Sequence, residues 1–312
     1  MNGNPNTIGL VGGSGYVGDN LVDALLARGY QVSLLVRAGR EGQPHRANEC
    51  RLVVGEPDDP EALARLFDGC RIAFFAIGIL REDPRRNVTF ERLQYEAAAA
   101  TLRAAKKAGV ERFLLMSANG VREDGTAYQA TKYRAERAAF ASGIQTTVFR
   151  PSVIFGDPRG KQEFATQLLN DMVRPPIPAV NFFSVAGPHR GPVKMSPVHI
   201  RDVVDAIVAA AEQGESAPDI VPLGGPTTLT WKAMIELVAR AVGRTKWFLP
   251  MPIELMRLAA TLLDWLPAFP VSRDQLTMLA EGNLADPATM EALIGRPATP
   301  FTSDNLDYLN GP

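Results

Sequence analysis

The chain predicts an α/β protein, a doubly wound parallel sheet with a smaller C-terminal lobe of mixed structure. Short apolar runs alternate with amphipathic helical stretches from Thr7 to Phe149, the order that right-handed crossovers between parallel strands produce. The first apolar run ends in glycines three residues apart, Gly12, Gly15 and Gly18, and a helical stretch follows at once. Past Arg150 the alternation loosens. Residues 1–155 are therefore expected to form the main domain, and residues 156–312 the smaller lobe, interleaved with late elements of the sheet.

Taken in order, Thr7–Val11 reads as a strand and YVGDNLVDALLARG as a helix with apolar residues at helical spacing. Gln31–Val36, QVSLLV, is a continuous apolar run of the kind buried on both faces of a parallel sheet, and it ends at Arg37. AGREGQPHRAN, rich in glycine, proline and charge, reads as a loop. Arg51–Val54 is a third strand, and residues 59–67 are a helix capped by Asp58 or Asp59 with Pro60 in its first turn. Residues 71–77 are a fourth strand stopped by Gly78, ILREDPRRN is a loop, and residues 88–107 are a long alanine-rich helix that ends at Gly109. Strands at 112–116 and 144–149 flank a helix at 128–141. In the second half, 161–172 reads as a helix and 173–192 as a proline-rich meander or small hairpin. Helices follow at 203–211 and at 231–242, the latter capped by Thr230, with short strands at 220–223 and 246–249. The stretch PIELMRLAATLLDWL sets Leu255, Met256, Leu258, Ala259, Leu262, Leu263, Trp265 and Leu266 at helical spacing. It reads as a helix packed on the body of the protein or on a second subunit, or one docked at a membrane surface.

Gly12, Arg37, Gly55, Gly78, Ser117 and Pro151 each sit just past a strand end and gather along one rim, where open parallel sheets hold their ligand crevice. At the glycine turn, Gly12 leaves the strand with torsions that a Cβ resists, Gly15 admits a pyrophosphate close to the backbone, and Gly18 lets the helix lie against the strand. The first helical amides, which lack partners within the helix, then face an anion. The pattern points to a dinucleotide. Where such a fold takes NAD, a carboxylate about twenty residues past the last glycine holds the ribose 2′-hydroxyl. Here Arg37 stands in that place with Arg40 behind it, and a guanidinium grips a 2′-phosphate through two charge-assisted hydrogen bonds, so NADP(H) is the expected cofactor. Ser14 adds a hydroxyl, and Glu56 is placed to accept from the adenine amino group. The plain alternatives are a solvated charge at Arg37 and an exposed loop carboxylate at Glu56.

Tyr128 and Lys132 form Y-x-x-x-K at the start of a helix, so ring and ammonium share a face. A neighbouring ammonium and an oxidised nicotinamide lower a phenol's pKa, and the pair then passes a proton to or from a carbonyl oxygen. A plain surface pair on a helix is the alternative.

Composition limits the field. A formal net charge of -1 argues against nucleic acid as partner, and two cysteines, Cys50 and Cys70, are too few for a disulfide framework or a zinc site. His45, His189 and His199 are scattered, with His199 read as a structural residue before a helix whose Asp202 caps it or pairs with an arginine. No metal is expected. MNGNPNT carries no secretory signal and no apolar run reaches the eighteen or so residues a bilayer crossing needs, so a soluble, cytoplasmic protein is expected, with peripheral attachment to a membrane or a protein complex left open. The Arg81–Arg86 run is a solvated loop or a contact for an acidic substrate.

GGSGYVG, Arg37, AIG after the fourth strand, MSANG after the fifth, YQATK and FRPSVIFG together resemble the short-chain dehydrogenase/reductase superfamily, with its Rossmann-type sheet, over nearly the whole chain. SPVHIRDVVDAI, PLGGPTTLTWKAMIELVARAVG and the leucine- and proline-rich end resemble its atypical branch near the complex I 39-kilodalton accessory subunit and bacterial relatives. The resemblance implies that Gly12, Ser14, Gly15, Tyr16, Val17 and Gly18 carry the pyrophosphate and that Ala76, Ile77 and Gly78 line the adenosine side. It also implies that Lys132 binds the nicotinamide ribose, with Pro151 and Val153 beside the nicotinamide. Active members usually supply a Ser or Thr well upstream of the tyrosine. The candidate here is Ser117, close to the strand end with Asn119 as polar neighbour. The expected function is an NADPH-binding oxidoreductase that reduces a carbonyl-type or quinone-related molecule. A scaffold that holds NADPH without turnover for a respiratory or quinone-making complex is the second expectation, and a nucleotide-sugar epimerase or dehydratase the third.

Overall fold

The computed structural model describes residues 6–186, 189–263 and 273–310, and the side chains of 259–263 and 273 are outside that description. Six strands and four helices build the first part of the chain: β1 Thr7–Val11, α1 Tyr16–Ala27, β2 Gln31–Val36, β3 Arg51–Val54, α2 Pro60–Phe67, β4 Ile72–Phe75, α3 Ala97–Lys107, β5 Arg112–Met116, α4 Ala127–Ala141 and β6 Gln145–Pro151. Strand Ile220–Leu223 joins them to make seven, in the order Ile220–Leu223, β6, β5, β4, β1, β2, β3. The pairs from β6 to β3 are parallel. From β1 the chain winds first to β2 and β3, then crosses to β4, and the gap between the ends of β1 and β4 is the topological switch point at which such sheets bind ligands.

The strands hold because they are buried on both faces. β1, β4 and β5 are buried at every residue, and α2, α3 and α4 cover one face with Leu63, Leu66, Phe67, Ala98, Ala105 and Ala139. Asp59 caps α2, its Oδ1 accepting from the amides of Glu61 and Ala62 at 2.9 and 3.3 Å, and Pro60 opens the helix as its sequence predicts.

Two expected elements differ. The fourth strand is four residues long, so Ala76 and Ile77 leave the ladder, although Ala76 N still donates to Val11 O at 2.9 Å. The helix expected over 88–107 starts with a π-turn, Glu91–Glu96, before α3. Gln94, fully buried, explains the wider turn: its Nε2 donates to Ile79 O at 2.9 Å and its Oε1 accepts from Thr131 Oγ1 at 3.0 Å.

The residues divide into two compact units. The first holds the chain through Arg150 with Arg201–Pro222 and Thr289–Gly295, so the helix Ile200–Gln213 lies almost wholly within it. The second holds Pro151–Ile200, Leu223–Ala288 and the residues after Gly295, around its own core of Phe155, Phe182, Met234, Ile235, Val238 and Phe301. In the second unit the helix expected over 161–172 is a short α-helix, Phe164–Leu168, running into a π-turn, Leu169–Val173. The meander contains strand Ala179–Ser184, antiparallel to Gly191–Pro192 and parallel to Phe248–Pro252. Phe248–Pro252, expected as 246–249, is an edge strand. The Trp247 carbonyl faces the neighbouring strand, accepting from Ala179 N at 2.8 Å, so by alternation Pro250 and Pro252 face outward, where a missing N–H costs no ladder bond.

The apolar stretch from Pro252 folds as a helix, Ile253–Leu263, with Ile253 buried and Met256 against the core, while Leu255 and Leu258 are exposed. Trp265 and Leu266 lie outside the described residues. No helix among the described residues is long and apolar enough to cross a membrane.

Candidate nucleotide and catalytic site

The glycine turn is built by lack of room. Gly12 has φ +94°, and a Cβ there would lie 3.0 Å from the Ala76 carbonyl carbon and 3.1 Å from Ile77 N. The end of β1 thus lies against the end of β4. At Gly18 a Cβ would run into Gly12 O and stand 2.6 Å from Gly13 Cα. Only hydrogen fits between the first turn of α1 and the turn before it. Gly15 is the residue before α1, its N donating to Gly12 O at 3.1 Å, and no side chain caps the helix. No side chain caps the first turn of α1, and the positive end of the helix dipole points out of it toward the glycine turn.

Arg37 and Arg40 are exposed just past β2, in a turn closed by Arg40 N donating to Arg37 O at 3.0 Å. The rest of that loop is tied down by a residue the sequence does not single out. Asp19, in the first turn of α1 and 2 % exposed, accepts from His45 N at 2.8 Å. Glu56 is also exposed, and its Oε2 lies 3.4 Å from Arg92 Nη2. That guanidinium is occupied mainly by Asp58, at 2.8 and 3.1 Å, and it holds the Asp58 carboxyl below the usual range. Arg92 is a partner the sequence reading did not assign to either carboxylate.

At the other side of the switch point, α4 begins in a capping box. Thr126 Oγ1 accepts from Gln129 N at 3.3 Å, Gln129 Oε1 accepts from Thr126 N at 2.8 Å, and Gln129 Nε2 donates to Gly120 O at 3.0 Å. This fixes Tyr128 and Lys132 in the first and second turns. Lys132 is buried, and its Nζ donates to Ile77 O and Met116 O, each at 3.0 Å, joining the chain past β4 to the end of β5. A Cβ at Gly78 would lie 3.7 Å from the same nitrogen. Burial pushes the Lys132 ammonium down to about 8, and the Glu136 carboxylate one turn on pulls the other way. Glu136 itself pairs with Arg150 at 3.0 and 2.5 Å.

Tyr128 meets the edge of Phe90 at 5.7 Å between ring centres, and burial pushes its phenol up to about 12. The lowering expected from a lysine one turn away is not supplied by the chain itself, because the ammonium is turned onto two carbonyls and is itself desolvated. Ser117 follows β5 directly, its N donating to Phe149 O at 2.8 Å, and its buried hydroxyl has no hydrogen-bond partner among the described residues. Lys132, Ser117 and the residues Ala76–Gly78 therefore converge on the carboxyl ends of β4 and β5.

Pro151 is the last residue of β6, and Val153 O, two residues on, accepts from Val198 N at 3.0 Å. His199 meets the Phe155 ring edge-on at 5.0 Å, a packing contact, and Asp202 is buried in the first turn of its helix. The 81–86 segment is an exposed loop with a short 3-10 turn at Pro84–Arg86.

Residues 12–175 match the NAD(P)H-binding family. The 4-hydroxy-2-methyl-3-oxo-4-farnesyl-3,4-dihydroquinoline-1-oxide ketoreductase of Stigmatella aurantiaca is 27% identical over 87% of this chain and 84% of its own. The mitochondrial NADH-ubiquinone oxidoreductase 40 kDa subunit of Neurospora crassa is 26% identical over 66% of this chain, and the match spans only 52% of that longer protein. Among solved structures, the crystal structure of gox2253 superposes with a TM-score of 0.75 at 21% identity, covering 98% of this chain and 97% of that one.

Proposed function

The chain belongs to the NAD(P)H-binding family, with a Rossmann-type fold like that of short-chain dehydrogenases/reductases, and on that premise we propose that it is an NADP(H)-dependent reductase of a ketone on a quinone-related small molecule. The residues fit a dinucleotide: the uncapped first turn of α1 behind Gly12–Gly18 suits the pyrophosphate, and Arg37 and Arg40 suit a 2′-phosphate. Ala76, Ile77 and Gly78 suit the adenosine side, and Lys132 suits a ribose. Bound there, the cofactor supplies hydride. Everything else is asked of side chains.

The observation that carries the reading is the placement of Tyr128 in the first turn of α4, with Lys132 one turn on, its Nζ tied to Ile77 O and Met116 O, and Ser117 at the end of β5. The phenol keeps its proton at neutral pH and donates it to a carbonyl oxygen that gains negative charge as it is reduced. Lys132 holds its proton up to about pH 8 and places positive charge beside the developing anion. Ser117, whose hydroxyl lacks a partner among the described residues, is the group to hold the substrate oxygen. The similarity to a ketoreductase over most of both chains supports reduction as the direction.

A second reading rests on the similarity to the 40 kDa subunit: the protein holds NADPH without consuming it. One variant separates the two. Tyr128→Phe is expected to lower kcat for ketone reduction by about 10²–10⁴, the range for losing a general acid, with NADPH affinity unchanged. Equal turnover by the variant and the wild type would remove Tyr128 as acid. NADPH bound tightly by both, with no consumption across ketones and quinones, would favour the second reading.

A further inference from the structure

Trp247 is 82% exposed, an unusual setting for the side chain with most apolar surface to bury. Leu249, two residues on and on the same side of its strand, is 51% exposed, and Ile177 is 65% exposed. Ile177 is close by, because Ala179 N donates to Trp247 O and brings the segment before Ala179 alongside the tryptophan. Phe248, between the two exposed residues, faces the opposite way and packs on the core of the second unit. The apolar side chains at this edge are thus displayed while the strand beneath them is anchored.

The two chain segments that carry the patch are basic, and the acidic residues Asp304 and Asp307 lie on the 3-10 turn that packs against helix Trp231–Ala241. The segments 172–186 and 237–253 contain Arg174, Arg240, Arg244 and Lys246 and no carboxylate. The acidic residues that bound these segments are Asp171, Glu236 and Glu254. Glu236 lies 3.5 Å from Lys232, and Glu254 accepts from Ser184 Oγ and Val185 N at 2.6 and 3.0 Å. Lys246 Nζ donates to Val173 O at 3.2 Å and also to Pro175 O, so it braces the proline loop that carries Ile177. This edge does not suit an added strand. Pro250 and Pro252 stand at its outward positions and interrupt the row of donors that a partner strand would need.

We propose that this edge of the second unit docks on an anionic membrane surface, with Trp247, Leu249 and Ile177 at the headgroup level and the exposed Arg174, Arg240 and Arg244 against the lipid charge. A tryptophan projecting among aliphatics and cations is the composition that settles in the interface, where the indole body is apolar and its N–H stays wet. Each cation near an anionic bilayer raises partitioning roughly fivefold, an effect that added salt removes.

The test is co-sedimentation of the full-length protein with phosphatidylcholine vesicles and with vesicles in which part of the lipid is phosphatidylglycerol. Binding is expected to the anionic vesicles only, and to fall in high salt. Trp247→Ser is expected to weaken it by roughly tenfold, and Arg174→Glu with Arg244→Glu by more than that. Melting temperature is read for both variants, because Arg174 Nη1 donates to Asn170 Oδ1 and Arg244 Nη1 to Arg174 O, and Trp247→Ser, at an exposed side chain, carries the test if the arginine pair proves destabilised. Binding to neither kind of vesicle, equal binding to both, or binding untouched by both variants would overturn the proposal. So would a Trp247-dependent dimer in sedimentation velocity without vesicle binding, which would make the edge a subunit contact.

Discussion

The two halves of the candidate site are specified in different ways. The glycine turn is held by backbone: Gly12 takes a left-handed φ, and Gly18 has no room for a Cβ against Gly12 and Gly13. The start of α4 is held by side chains, with Lys132 donating to two carbonyls and Tyr128 against Phe90. A backbone requirement leaves its mark on residue type, because a single residue meets it. A tertiary environment leaves none, because Tyr and Lys are acceptable on any helix. The turn is therefore readable from the chain, whereas the setting of Lys132 on α4, an ammonium held by two carbonyls and pushed down to about 8 by burial, arises only once β4 and β5 are in place beside it.

The sharpest way to break the contrast is Gly18→Ala. If the turn is a backbone device, one methyl group must push α1 away from Gly13, because all three atoms it meets are main chain. Overpacking of this kind costs about 1–3 kcal/mol of stability, and displacing the first-turn amides is expected to abolish NADPH binding. Urea unfolding and calorimetry read the two effects. Normal NADPH binding by the Gly18→Ala variant would mean that the turn relaxes freely and that its glycines are not a specification.

Legibility follows the same line through the rest of the molecule. Strand and helix alternation up to β6 is legible because both faces of the sheet demand apolar residues. The π-turn before α3 is not, and the partners of the Gln94 it carries, Ile79 O and Thr131, are distant in sequence. In the second unit, strands as short as Val198–His199 carry too few residues for any period to register. At the rim, the position of Arg37 just past β2 is legible from its spacing to the glycines, but the role of Asp19 is not. An acidic residue in the first turn of a helix looks like ordinary dipole compensation, and only the folded loop shows that it holds His45 N.

Arg37 sharpens the comparison, because it is a side chain placed by a backbone feature, the end of β2. Its exposed guanidinium makes no contact that burial would enforce, so Arg37→Ala is expected to leave stability within about 0.5 kcal/mol of wild type. NADPH affinity is expected to fall roughly ten- to hundredfold, the worth of one charge-assisted hydrogen bond, with NADH affinity unchanged. Calorimetry with both nucleotides reads it. Equal losses for the two would assign Arg37 a general role on the rim and leave Arg40 to select the phosphate.

The smallest effect tests the α4 half directly, through pH. The Lys132 ammonium has an ordinary value of 10.5 and a folded value of about 8. Between those two values the unfolded chain holds a proton that the folded chain has released, so folding is penalised most below pH 8 and the penalty lifts as pH rises toward 10.5. The depression corresponds to about 3 kcal/mol in full, of which roughly half should be recovered by pH 9. Other groups titrate in the same range, and burial pushes the Cys50 thiol up to about 11, so wild type alone does not isolate the effect. Lys132→Met removes the titrating group and keeps the length of the chain. The stability of wild type relative to this variant, from urea unfolding at each pH, is expected to improve steadily from pH 7 to 9. If the two profiles run parallel, Lys132 is not desolvated as its two carbonyl partners imply. The start of α4 would then be the plain surface pair that its sequence also allows.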